Sequence, residues 1–245
     1  MIVFFKRIRH KLVTNNKFSK YVIYAIGEIA LVTIGIFLAI QANQWKQDAD
    51  QRRLEIKLLK EVQIGIKHDS TDININLHEN GHLQYYYSQK KCIAWLDGDY
   101  QDLTADSLTY HFSYAFKNSS AMIIRSPFDA LKEFGLNNIS NDSLKKEIQY
   151  LYDVMYPEYK RAHNQYFTIL EKTLEKGENY FKDWSWWGRR VVPYNIEALK
   201  KDKAFLFALR RLNSYNTGLI YYNLEMLKRQ RKILEMLDYE LQGMN

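Results

Sequence analysis

Cysteine, proline and glycine are all scarce in this chain of 245 residues, and each shortage removes a class of structure. Cys92 is the single cysteine, so no disulfide can form within the chain. The fold must rest on its core even in an oxidising compartment, with Cys92 as one small buried member of that core. Three prolines and ten glycines supply few breakers and favour long helices over many turns. No stretch keeps the apolar–polar alternation of a half-buried strand. A glycine-rich phosphate loop, a nucleophile elbow and a supported pair of catalytic carboxylates are all missing. Acid is missing from the first twenty residues, which carry Lys6, Arg7, Arg9, Lys11, Lys17 and Lys20.

That last absence explains the net charge of +7. Six of the charges sit in the N-terminal tail, and the remainder holds 29 basic against 28 acidic residues. A nucleic-acid-binding domain carries a basic footprint of its own, so that partner class is excluded. Hydrophobic residues make up 47% of the chain and aromatics 15%, ample material for a packed core and too much for wholesale disorder.

The tail is followed by Tyr21 to Ile40, YVIYAIGEIALVTIGIFLAI, an apolar run with one charge, Glu28, and no proline. A helix of that length covers ~30 Å, the thickness of a bilayer's hydrocarbon core, and satisfies its own backbone hydrogen bonds. Ile2, Phe5, Ile8 and Leu12, spaced among basic residues, suit a short helix lying among headgroups. Lys46, Arg52 and Arg53 are the only basic residues just beyond Ile40. The excess before the span places residues 1–20 in the cytoplasm, a transmembrane helix over 21–42 and residues 43–245 outside. Trp45 at one boundary and Tyr21 and Tyr24 at the other fit interfacial anchors. A cleaved signal peptide would have a shorter apolar run and small residues before the cut, whereas Ile40-Gln41-Ala42 is bulky at the first of those positions; a retained anchor is expected.

Glu28, Gly35 and Ala42 repeat every seven residues, and Ala39 joins the same stripe. Small residues let a second helix approach, and a protonated Glu28 could hydrogen-bond across that seam. The competing reading has Glu28, two turns from the boundary, reaching to headgroups. The stretches Tyr24-Ala-Ile-Gly27-Glu28-Ile29, Leu31-Val32-x-Ile34-Gly35-Ile36 and Ala39-x-Gln41-x-Asn43-x-Trp45, with the Phe-Phe-Lys-x-Ile-Arg tail and Asn16-x-Phe18-Ser19-Lys20-Tyr21, resemble an uncharacterised family of single-pass membrane proteins of Bacteroidetes. The resemblance covers residues 1–46. It implies an inner membrane with the C-terminal domain in the periplasm, and it implies no activity.

Beyond the span the pattern is helical. Leu58, Leu59, Val62, Ile66, Ile73 and Leu77 predict one long helix from the membrane to about Trp95, ended by the turn Asp97-Gly98-Asp99. Residues 104–120 read as helix. Ser126-Pro127-Phe128-Asp129 signals a helix start and Gly135 its stop. A second start at Ser140-Asn141-Asp142 leads a face of Leu144, Ile148, Leu151, Met155, Tyr159, Tyr166, Ile169 and Thr173 toward Phe181, interrupted or kinked at Pro157. Lys182–Asn195 is a break. A last helix, from about Ala204 to Leu241, turns Phe205, Leu209, Leu212, Leu219, Met226, Ile233 and Leu237 inward, with Asn216 and Asn223 on the same stripe. The fold class expected is all-α: a transmembrane helix, then an antiparallel bundle of about four long helices.

Two stretches invite chemistry. His78-Glu79-Asn80-Gly81-His82 matches H-E-x-x-H, in which histidines four apart on a helix hold zinc and the glutamate acts as base. No third ligand follows until His111, the longer metallopeptidase pattern fails at Tyr85 and Ser88, and Gly81 weakens the helix by ~1 kcal/mol. A fortuitous, solvated pair is the preferred reading. Trp184, Trp186 and Trp187 with Arg189 and Arg190 make a dense cluster of binding-type side chains, suited to a ligand, a membrane surface or, preferably, a loop plugging one end of the bundle. Asp97, Asp99 and Asp102 read as a solvated turn, since they lack a calcium loop's spacing. Tyr85-Tyr86-Tyr87 and Tyr221-Tyr222 read as core and edge aromatics. The expectation is a module that is not an enzyme and needs no cofactor. Its partners would be the lipid bilayer and either a second copy or another membrane protein; a ligand sensor working through a partner is the alternative.

Overall fold

A computed structural model describes residues 18–78, 81–99, 103–182 and 190–242, with side chains from residue 22 onward. The basic tail to Lys17 and the cluster of Trp184, Trp186, Trp187 and Arg189 lie outside the described residues, as do Glu79 and Asp102. The described chain is all-α: its only strand-like feature is an isolated antiparallel bridge between Phe181 and Pro193. It divides into two compact units, Met1–Leu54 and Glu55–Asn245.

Helix α1 spans Phe18–His78. Within it lies the one stretch, among the described residues, that is long and apolar enough to cross a membrane, with a mean hydropathy of 2.3 and none of its window buried. Ile23, Leu31 and Phe37 are 69%, 70% and 58% exposed, an arrangement that water does not tolerate over five turns and hydrocarbon does.

The second unit begins at Glu55, and its core begins at Leu58. The remainder of α1 is followed by α2 (His82–Asp97), α3 (Ala105–Ala115), α4 (Ser126–Phe134), α5 (Asp142–Tyr150), α6 (Tyr156–Gly177), α7 (Ile196–Lys201) and α8 (Lys203–Gln242). Helix α8 runs against α1 and α2 in reverse order: Gln63 bonds Asp238 at 2.7 Å, His82 meets Asn216 at 2.7 Å and Arg210 pairs with Asp97 at 2.6 Å. Its other face packs along α6, and α3 covers α2. The apolar stripes read from the sequence on α1, α6 and α8 are buried, with Met155 partly so.

Three elements depart from the sequence reading, each for a local reason. The expected continuous helix to Trp95 is instead two helices, the first ending at His78 and the second starting at His82. Gly81 makes that corner: a Cβ built there would lie 1.9 Å from the Asn76 carbonyl oxygen, so no larger residue fits. The second departure is at Pro157, where the chain passes from α5 to α6 through one π turn, Leu151–Met155. Proline gives no N–H and crowds the carbonyl four residues back, and the wider turn absorbs both. Finally, only Ala105–Ala115 of 104–120 is helical; Lys117–Arg125 crosses the unit as a non-helical strap. The turn at Gly98 (φ +90°) and the stop at Gly135 (φ +98°) form as read, both in the left-handed half that glycine tolerates. The cap of α5 is Asn141, whose side chain accepts from the Leu144 amide at 3.0 Å.

Candidate functional site

A non-helical strap lying across helices leaves backbone groups without helical partners, and side chains satisfy several of them. Helix α1 supplies two carboxylates. Asp69 Oδ1 accepts from the Ile124 amide at 2.9 Å, and Asp72 accepts from the Met122 amide. From α6, Tyr159 accepts the Ala121 amide at 3.0 Å, and Tyr166 donates to the Lys117 carbonyl at 3.0 Å. The Ser119 carbonyl lies 3.1 Å from His82 Nε2 and 3.1 Å from His163 Nε2. Arg125 closes the strap by donating to the Tyr152 carbonyl at 2.7 Å.

Behind the strap runs a buried polar seam. Asn216, Asn223 and Gln230 repeat every seven residues on α8, and all three are fully buried. Gln230 donates to the Tyr156 hydroxyl at 2.9 Å, and that hydroxyl donates to Asp69 at 2.8 Å. Burial pushes the Asp69 carboxyl up, the Ile124 and Tyr156 bonds opposing it, and burial drives the Tyr156 hydroxyl well above its ordinary range. At the other end Asn216 donates to the His82 carbonyl at 3.0 Å while its Oδ1 faces the His82 ring. Burial pulls His82 down to about 4. Asn223 Oδ1 and Gln230 Oε1 are buried with no partner among the described residues.

In front of the strap a cleft of about 540 Å³ opens along α6. Ser120, Ile123 and Arg125 form its strap side, and Tyr156, Lys160 and His163 its helix side. Its lining includes cations and no acid, but Arg125 is engaged by Asp129 at 3.6 Å and Asp153 at 3.7 Å. The cleft is walled on one side by the non-helical strap.

The residues singled out in the sequence fall in three places. His78 ends α1 and is exposed, as expected of a solvated residue, whereas His82 opens α2 and is fully buried. The two histidines therefore belong to different helices, and the i, i+4 spacing that makes H-E-x-x-H a zinc site is not formed on one helix. Glu28 is half-buried, while Gly35, Ala39 and Ala42 lie exposed along α1, with open space where a Cβ on Gly35 would sit. Arg190, the describable member of the Trp/Arg cluster, is exposed. Its segment leaves from the Phe181–Pro193 bridge, and the neighbouring Val191 amide donates to Ser113 at 2.8 Å. That is the end of the second unit opposite Glu55. Cys92 is fully buried and burial raises its thiol, so it sits in the core as a small apolar residue.

The strap escaped the sequence reading, and so did Asp69, Tyr156, His163 and Gln230. A signal was available: Gln230 extends the seven-residue repeat of Asn216 and Asn223, and buried amides at a fixed period require polar partners from facing helices. No family model, curated protein or solved structure matches the chain.

Proposed function

We propose that this chain is a single-pass membrane protein acting by binding rather than by catalysis: an anchored helical module that assembles with a second copy or with another membrane protein. Its exported part would be an antiparallel bundle of about four long elements, built from the outer part of α1 with α2, α6 and α8. The observation that carries the reading is the contrast along α1. The stretch before Ile40 is apolar and uncovered, whereas from Leu58 onward one apolar stripe of the helix is buried in a core. The six positive charges before the span support a cytoplasmic N-terminus. The resemblance of residues 1–46 to the Bacteroidetes family supports an inner membrane with the unit from Glu55 in the periplasm.

The stripe of Glu28, Gly35, Ala39 and Ala42 is the proposed association face, because small residues permit close helix approach and a carboxyl can bond across it. Crosslinking in native membranes followed by partner identification tests this. Glu28→Leu combined with Gly35→Leu should cut the crosslinked yield severalfold, and an unchanged yield would overturn the assignment. The cleft between the strap and α6 favours a second reading, in which the periplasmic unit binds a small ligand and passes the signal through that partner. Recovery of a partner with a kinase or transporter domain would favour it over self-assembly.

A further inference from the structure

The hydrogen-bond polarity around His82 can be fixed without reference to the ring itself. The His82 backbone carbonyl can only accept, so the Asn216 atom 3.0 Å from it is the amide nitrogen. The Ala115 carbonyl likewise fixes the Gln89 nitrogen at 2.9 Å, leaving Gln89 Oε1 to receive Asn216 Nδ2 at 3.3 Å. Two backbone carbonyls thus independently make Asn216 Oδ1 an acceptor, 2.7 Å from His82 Nδ1. The other ring nitrogen, Nε2, lies 3.1 Å from the Ser119 carbonyl, also an acceptor. A neutral imidazole has one N–H, so either tautomer leaves one nitrogen lone pair against an oxygen. The cation would satisfy both contacts but would be fully buried. A hydrogen bond from a charged donor returns only part of what a buried charge without a counter-ion loses on leaving water. Burial wins, and the ring stays neutral while the strap covers it.

Among the described residues, the groups facing His82 offer no counter-charge. Tyr85 on its own helix and Tyr166 on α6 contact the ring edge-on at 5.5 and 5.6 Å, Asn216 faces it from α8 and Ser119 from the strap. Among the described residues, the ionisable group whose charge bears on it is His163. His163 holds the same Ser119 carbonyl, meets Asn118 Oδ1 at 3.0 Å, packs near the Tyr159 ring and lines the cleft; burial pulls it down too. Asp69 works in the opposite sense, since burial raises its carboxyl and falling pH favours the buried neutral form.

We propose that the strap Lys117–Arg125 is a proton-released latch, closed by neutral His82 and His163 on the Ser119 carbonyl, and lifted when protonation of those rings demands water. Its release would remove the Ser120–Arg125 wall of the cleft, so the cleft would be reshaped as pH falls. The inference is independent of whether the chain associates through its membrane helix.

Amide hydrogen exchange on the full chain in lipid nanodiscs, corrected for intrinsic exchange rates, tests it at Ala121, Met122 and Ile124. With His82 at about 4 under the strap and at its ordinary 6.5 when hydrated, lowering the pH from 7.5 to 5 should reduce protection by roughly thirtyfold. His82→Gln combined with His163→Gln should abolish the reduction. Protection independent of pH, or a loss as large in the double variant, would overturn the latch. Should that variant fail to fold, the wild-type ring titrations decide by NMR. A His82 ring titrating well below 6.5 supports the latch, and one titrating at 6.5 or above overturns it.

Discussion

Gly81 and His82 are adjacent in the sequence and answer different demands. The sequence draws attention to both through H-E-x-x-H, a pattern that presumes one uninterrupted helix. The corner at Gly81 breaks that presumption. The warning was Gly81 itself, but a helix-weakening residue is tolerated too often to locate a corner, and the backbone approach that requires it is to Asn76, outside the motif. Gly81→Ala should therefore cost at least ~2 kcal/mol, because the new Cβ meets backbone at the Asn76 carbonyl rather than a side chain able to move. Thermal unfolding of the full chain in detergent checks it. A melting temperature equal to wild type would mean that the corner relaxes and that glycine is incidental there. His82 was legible only as a histidine on a candidate zinc helix. Its burial depends on the strap folding back onto α2 and on α8 presenting Asn216, contacts far apart in sequence that no local pattern encodes.

At the level of elements, legibility followed periodicity. The outer part of α1, together with α6 and α8, carries apolar stripes long enough to dominate any local ambiguity, and their buried faces match the reading. The strap has no period because its backbone is satisfied one residue at a time by Asp69, Asp72, Tyr159 and Tyr166. The Pro157 region was partly legible: proline signals an interruption, but not that it takes the form of one π turn. The α5 cap was read within one residue. Asn141 there does two things, accepting from the Leu144 amide and donating to Glu240 at the far end of α8 at 2.9 Å. Asn141→Ala should destabilise by ~1–2 kcal/mol, at the upper end for a cap because the tie to α8 goes as well. Asn141→Asp keeps the cap acceptor and loses the donor, so its melting temperature should fall between wild type and the alanine variant. Equal melting of aspartate and alanine variants would show that the cap contributes nothing.

For the whole molecule, the decisive feature is where the core stops. The large aliphatic side chains and Phe37 between Val22 and Ile40 are exposed, whereas the buried hydrophobic residues start at Leu58 and continue to Leu237. If this division reflects two solvents, a chain beginning at Glu55 loses its need for lipid and nothing from its core. Its new first residue also suits a helix start. Glu55 is an acid at the positive end of the shortened helix, and its carboxylate already accepts from the Ser140 amide at 2.8 Å and the Ser140 hydroxyl at 2.9 Å. Residues 55–245 exported without the span should therefore leave the membrane fraction, remain soluble and unfold in a single cooperative transition by circular dichroism. Aggregation or a non-cooperative melt would mean that the second unit needs the apolar stretch for folding as well as for attachment. The same material separates the two candidate binding surfaces. It keeps the cleft beside α6 and lacks Glu28 and Gly35, so it should no longer crosslink to a partner held by the membrane helix, while any ligand of the cleft should still bind.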